Sequence, residues 1–292
     1  MRSFEDGYWL SEDGLRLHFR DYTVAGGEGR PPILCLPGLT RNARDFANLA
    51  DSLPEWRLLC PDMRGRGDSA YARNWATYQP LQYVNDVFAL LDQLKVPRVV
   101  VIGTSLGGLM AMLMAMIEPH RLAGAVLNDI GPVIEPEGLA AILEYVGQGR
   151  NFPTWMHAAR ALEEVHGAAF PKFTVEDWLA MAKRVMTLGG NGRIVFDYDM
   201  KIAAPFDAAK GAPPADLWPG ITALAAGPLL FVRGALSTLL SAATFAEMAA
   251  RAPAAETLTL PDIGHAPTLD EPEARAAIAR LLAKVEAGNV AA

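Results

Sequence analysis

The chain has 292 residues, 51% apolar and 20% charged, with a net charge of −7 at pH 7. That is ordinary globular composition, with material for one large α/β domain or two small ones. The acidic balance and the lack of a basic run argue against a nucleic-acid partner, and the charged N-terminal stretch MRSFEDGYWLSEDG does not read as a signal peptide.

Taken in chain order, LRLHFRDYTV (15–24) alternates apolar and polar residues and predicts an antiparallel strand. PILCLPG (32–38) and RLLCPD (57–62) are short continuous apolar runs that predict buried strands. Each carries one cysteine, Cys35 and Cys60; with no CxxC and no larger set, they read as reduced core residues. Residues 80–94 have helical apolar spacing, RVVVIG (98–103) is a further buried strand, and LGGLMAMLMAMI (106–117) is a buried helix too short to span a bilayer. AGAVLND (123–129) is another strand. From 132 to 215 the texture turns helical, with pieces at 137–147, 153–166 and 174–188. Strands resume at PLLFVRG (228–234) and ETLTLPD (256–262), with helices at 241–251 and 271–286. Strands apolar on both faces and separated by helices predict a doubly wound, mostly parallel α/β sheet. Residues 1–131 and 216–292 would form the core and 132–215 a helical cap inserted between two strands. The expected location is cytoplasmic, without a membrane partner.

The stretch VVVIGTSLGGLMAM reads as strand, sharp turn, helix, with Ser105 in a G-x-S-x-G pattern. Such a turn stands a serine hydroxyl clear of the sheet, and the helix N-terminus favours an oxyanion. The competing reading, a phosphate-binding glycine loop, lacks a G-x-G-x-x-G or a Walker lysine. Of the five histidines, His18 lies in a strand, His120 at the far end of a helix, and His157 and His166 in the cap. His265 lies in LPDIGHAP, a loop straight after the last strand, at the sheet end where the serine turn emerges. It is the candidate base for Ser105. The oxyanion donors would be the backbone N–H groups of Leu106 and of Leu39 in PGLTRN (37–42). Arg41 and Trp155 are candidate substrate contacts; the plainer roles are a solvated arginine and a cap-core aromatic.

LPGLTRNARDF (36–46), PDMRGRGDS (61–69), VIGTSLGG (101–108), LNDIGP (127–132), LLFVRG (229–234) and GHAP (264–267) together resemble the α/β-hydrolase fold superfamily, nearly end to end. The resemblance implies an eight-stranded sheet with a helical cap, no metal, no organic cofactor, and the chain order nucleophile, acid, histidine. It also exposes a departure. Relatives carry an aspartate shortly after the strand matching LLFVRG, and alignment on its glycine places Thr238 there. Some relatives carry the acid one strand earlier, where this chain has Asp129. Strand alternation would turn Asp129 away if Asn128 faces the site, unless the chain has already turned at IGP. Asp262 lies too near His265 in sequence, and Glu247 sits on an exposed helix. The acid has moved to Asp129, weakened to a hydroxyl, or been substituted. The expected activity is hydrolysis of small to medium carboxylic esters through an acyl-enzyme on Ser105, with a small-molecule ester as the partner. Cleavage of a C–C bond or an enol-lactone on the same scaffold, and a weakened hydrolase kept as a ligand-binding module, are the alternatives.

Overall fold

The apolar runs pair into one sheet. The computed structural model describes residues 2–24, 29–208 and 215–290; residues 209–214 of the expected cap, and 1, 25–28 and 291–292 of the expected core, lie outside the described residues. The elements in chain order are β1 (Glu5–Leu10), β2 (Arg16–Tyr22), β3 (Ile33–Leu36), α1 (Ala47–Ser52), β4 (Leu58–Asp62), α2 (Pro80–Gln93), β5 (Val99–Thr104), α3 (Leu106–Ile117) and β6 (Leu122–Asn128). The cap follows with α4 (Pro136–Tyr145), β7 (Asn151–Phe152), α5 (Trp155–His166), α6 (Val175–Val185), β8 (Met186–Leu188), β9 (Ile194–Phe196) and α7 (Ala204–Ala208). The chain then returns through α8 (Trp218–Leu224), β10 (Leu229–Gly234), α9 (Ala242–Arg251), β11 (Glu256–Leu260) and α10 (Pro272–Val290).

Eight strands form the main sheet in the order β1-β2-β4-β3-β5-β6-β10-β11. The β1–β2 and β2–β4 pairs are antiparallel and the rest parallel. Because successive side chains point to opposite faces, each central strand feeds two cores. Leu34, Leu36, Val99 and Val101 pack with residues of α2, α3, α8 and α9, such as Val84, Met110, Ile221 and Met248. Ile33, Cys35, Val100 and Ile102 pack with α1 and α10 through Leu49 and Ile278. Burial on both faces is why these strands read as unbroken apolar runs. Both cysteines are free and buried on neighbouring strands. No helix is long and apolar enough to cross a membrane among the described residues.

The short helices α1, α7 and α8, the strand β1 and the cap strands escape the sequence pattern. β1 is mostly exposed, only Trp9 being buried, so it carries no apolar run and exists through its antiparallel pairing with β2. The cap is not purely helical: β7, β9 and β8 form a three-stranded sheet in that order. The expected helix at 174–188 therefore stops at Val185, and residues 186–188 become β8. Strands of two or three residues are too short to show periodicity. Thr154 and Thr174 cap α5 and α6 with their hydroxyls, the latter in a reciprocal capping box with Asp177.

Candidate active site

The serine turn follows from what surrounds it. Ser105 sits between β5 and α3 with φ 53 and ψ −116, a left-handed conformation costly for any side-chain-bearing residue. The turn packs against β3 so tightly that a Cβ on Gly107 would lie 2.0 Å from the Leu36 carbonyl oxygen, and one on Gly103 would lie 2.4 Å from that of Gly107. The glycines are needed for close approach, and the turn holds the hydroxyl above the strand ends. The Ser105 N–H donates to the Asn128 carbonyl at 3.0 Å, tying the turn to β6.

His265 stands opposite, 2.8 Å from Ser105 Oγ through Nε2 and 2.8 Å from Asp129 Oδ2 through Nδ1. The carboxylate fixes the tautomer: Nδ1–H donates to Asp129, and Nε2 accepts from the serine hydroxyl. The histidine loop is held from three sides. The Asn128 side chain donates to the Pro267 carbonyl at 2.8 Å, the Leu236 N–H donates to the Ile263 carbonyl at 2.9 Å, and the Gly264 N–H donates to the Ala169 carbonyl of the cap at 2.6 Å.

The residue that meets His265 is Asp129. Strand alternation does not apply to it, because the chain turns there: Asp129 has φ 54, one residue past the end of β6. Its side chain is completely buried. A buried carboxylate needs several donors, and Asp129 has them: the Gly234 N–H at 2.8 Å on Oδ1, and the Ser237 hydroxyl at 2.6 Å with His265 on Oδ2. Thr238 makes no side-chain hydrogen bond among the described residues. It is exposed, lines the cavity, and packs its backbone against Gly138. Beside the position reached by aligning on Gly234, Ser237 bonds Asp129, and neither Ser237 nor Thr238 bonds His265. Ser237 faces inward and supports the carboxylate rather than replacing it. Asp262 pairs with Lys172 at 2.7 Å and Glu247 with Arg251 at 2.5 Å, both on the surface.

Leu39 lies in the loop after β3, and Leu106 supplies the first backbone N–H of α3. The loop comes close to the serine: a Cβ on Gly38 would lie 3.7 Å from Ser105 Cβ. The buried Arg66 donates to the Leu39 carbonyl at 2.9 Å and fixes the loop from behind. Below it, the Asp62 carboxylate accepts from His18 Nδ1 at 2.7 Å, from the Ala43 N–H at 2.7 Å and from the Asp68 N–H at 3.0 Å. His18, Asp62 and Asp68 are the residues among those described whose spacing could hold a metal ion. Both ring nitrogens of His18 are already bonded, to Asp62 and to Asp6.

Ser105 and His265 open into a cavity of about 710 Å³ between sheet and cap. Arg41 lines it, with Nε and Nη2 on Asp45 at 2.5 and 2.8 Å. Trp155 does not: it packs at the edge of the cap's own core with Phe152, Phe170 and Trp178. Its position at the first turn of α5 places it among the cap aromatics, partly buried against the cap core. Two wall residues that sequence reasoning left unassigned are Tyr145 and His166.

The α/β hydrolase fold model matches residues 31–272. A 3-hydroxybutyrate-oligomer hydrolase from Cupriavidus necator is 36% identical over 265 residues, 88% of this chain and 90% of that protein. The esterase Rv0045c of Mycobacterium tuberculosis is 28% identical over 262 residues, 87% of this chain and 83% of its own. Among solved structures, an alpha/beta hydrolase from Novosphingobium aromaticivorans superposes with a TM-score of 0.92 at 61% identity, covering 97% of this chain and 99% of that one. A serine turn, a histidine loop and a buried aspartate assembled at the ends of a mostly parallel sheet agree with that likeness, and the chain belongs to the α/β-hydrolase fold family.

Proposed function

We propose that the protein hydrolyses carboxylic esters of small to medium size by way of an acyl-enzyme on Ser105, with short oligoesters of hydroxy acids as the substrate class. The observation that carries the reading is the continuous hydrogen-bond chain that runs from Ser105 and His265, which line the cavity, to the buried Asp129. Ser105 Oγ attacks the ester carbonyl while His265 Nε2 takes its proton. Asp129 holds the imidazolium that forms, and the N–H groups of Leu39 and Leu106 receive the oxyanion. The tetrahedral intermediate collapses, His265 returns the proton to the departing alkoxide, and the alcohol leaves. Water then repeats the sequence on the acyl-serine, freeing the acid and restoring the hydroxyl. A cavity of about 710 Å³ suits a short oligoester. The hydroxybutyrate-oligomer hydrolase among the relatives supports an ester of that kind over a C–C or enol-lactone substrate. Turnover of p-nitrophenyl butyrate by the wild type and by Ser105→Ala tests it. The expected loss is about 10⁴-fold or more in kcat, together with loss of fluorophosphonate labelling. Equal rates in the two proteins would refute the mechanism.

A further inference from the structure

Three polar side chains of the cavity wall carry donor capacity that the protein leaves unused among the described residues. Arg41 commits Nε and Nη2 to Asp45, which leaves Nη1 without a protein hydrogen bond among the described residues. Tyr145, the last residue of α4, and His166, the last residue of α5, meet edge to face with ring centroids 5.0 Å apart. Neither makes a side-chain hydrogen bond to the protein among the described residues, and both line the same cavity as Arg41 and Ser105. Their unpaired donors are not sealed inside the protein and face cavity space that a ligand can enter.

From this placement we infer that Arg41, Tyr145 and His166 form a subsite for a free carboxylate on the alcohol part of the ester, so that the preferred substrates are acyl esters of hydroxy acids rather than neutral esters. The inference rests on the ester-hydrolase reading of Ser105 for the bond cleaved, and on the wall itself for the ligand. Protonation states near neutral pH fit it. Burial pushes the Tyr145 phenol up to about 12, so it stays a donor. Burial, then Arg41, then His265 hold the His166 imidazole down to about 4, so it stays neutral with one N–H. The cluster thus offers a guanidinium N–H, a phenol O–H and an imidazole N–H. A carboxylate has about four acceptor sites to receive them, whereas a neutral carbonyl or hydroxyl has two. The remaining charged groups of the cavity wall, Arg150 and Arg184 against Glu144 and Glu164, balance, so discrimination comes from the donor set and not from a net field. The side of the bond follows from the substrate class: in an acyl ester of a hydroxy acid, the free carboxylate belongs to the hydroxy acid whose hydroxyl is esterified, which is the alcohol part. In the reaction, water adds across the acyl C–O bond of, for example, 3-acetyloxybutanoate, giving acetate and 3-hydroxybutanoate with their accompanying proton.

Binding decides the matter without turnover. Calorimetric titration of Ser105→Ala protein with 3-acetyloxybutanoate and with its methyl ester should show the acid bound at least about tenfold more tightly, as expected for a charge-assisted set of hydrogen bonds. Adding Tyr145→Phe, or Arg41→Met together with Asp45→Asn so that no carboxylate is left unpaired, should bring the ratio close to one. Circular dichroism confirms that each variant is folded. Equal binding of acid and methyl ester, or a ratio that both sets of substitutions leave unchanged, would overturn the inference. Failure of p-nitrophenyl butyrate turnover in wild type would instead strike the esterase reading, and the binding ratio would still report on the carboxylate subsite.

Discussion

Two histidine–aspartate contacts among the described residues have nearly equal lengths, His18–Asp62 at 2.7 Å and His265–Asp129 at 2.8 Å. They differ in what the second ring nitrogen does and in where the carboxylate gets its other bonds. His18 is 1% exposed and spends Nε2 on another carboxylate, Asp6, while Asp62 ties down the loop that follows β3. His265 keeps 17% of its side chain accessible, spends Nε2 on a hydroxyl, and faces a cavity. The same two residue types therefore serve as a rivet in one place and, on the proposed mechanism, as a proton relay in the other. The distinction lies in the third partner and in access to substrate, not in the pair.

The sharpest way to separate them is to neutralise each carboxylate in turn. Asp129→Asn should lower kcat on p-nitrophenyl butyrate about 10⁴-fold in a folded protein, since the wrong tautomer and an unsupported imidazolium follow. Asp62→Asn should act on stability instead, costing about 3 kcal/mol in urea denaturation, as expected when one partner of a buried charged pair is removed. If the activity loss of Asp62→Asn at full folding equalled that of Asp129→Asn, the contrast would collapse.

Acidity sharpens the comparison further. Burial pulls the His18 imidazolium down from its ordinary 6.5, but the Asp62 and Asp6 carboxylates outweigh it and the net shift is upward. A raised value means that the stabilisation by protonated His18 is fully present below pH 6.5 and is lost as pH rises through the folded value. His166 behaves oppositely. Its folded value of about 4 makes its contribution full above 6.5 and lost as pH falls toward 4. Urea midpoints of His18→Gln and His166→Gln measured against wild type from pH 4.5 to 8.5 should diverge in opposite directions. A common slope would refute the assignment. The smallest effect is expected from Thr238→Asp, an exposed position without a bond to His265, where kcat should change by no more than about twofold. A gain of orders of magnitude there would mean that Asp129 does not act as the acid.

Much of this arrangement is legible in the sequence, for identifiable reasons. Buried parallel strands advertise themselves as unbroken apolar runs, and the G-T-S-L-G-G turn is forced by sterics that only glycine relieves at 103 and 107. His265 is reachable by its place after the last strand. Asp129 is reachable only as one alternative among several, because period-two alternation breaks where the chain turns past β6 and Asp129 adopts φ 54. Ser237 and Thr238 are equivalent to any reading that counts from Gly234, and only the fold decides which of them turns inward. Tyr145 and His166 look like ordinary helix-end residues; their meeting across α4 and α5 depends on tertiary packing that no local pattern encodes.

One set of bonds across the seam between cap and sheet has a further consequence. Asn42 and Arg44, next to the loop that carries Leu39, both donate to the Arg184 carbonyl, at 3.0 and 2.9 Å, and Arg44 also pairs with Asp197 at 2.5 Å. On the proposed mechanism, these three bonds tie the roof to the segment that receives the developing negative charge. A conformer with the roof swung away would lose them together with the support they give that segment, so on this reading an open entrance and an armed site exclude each other, and an ester that needs the roof open would be a poor substrate.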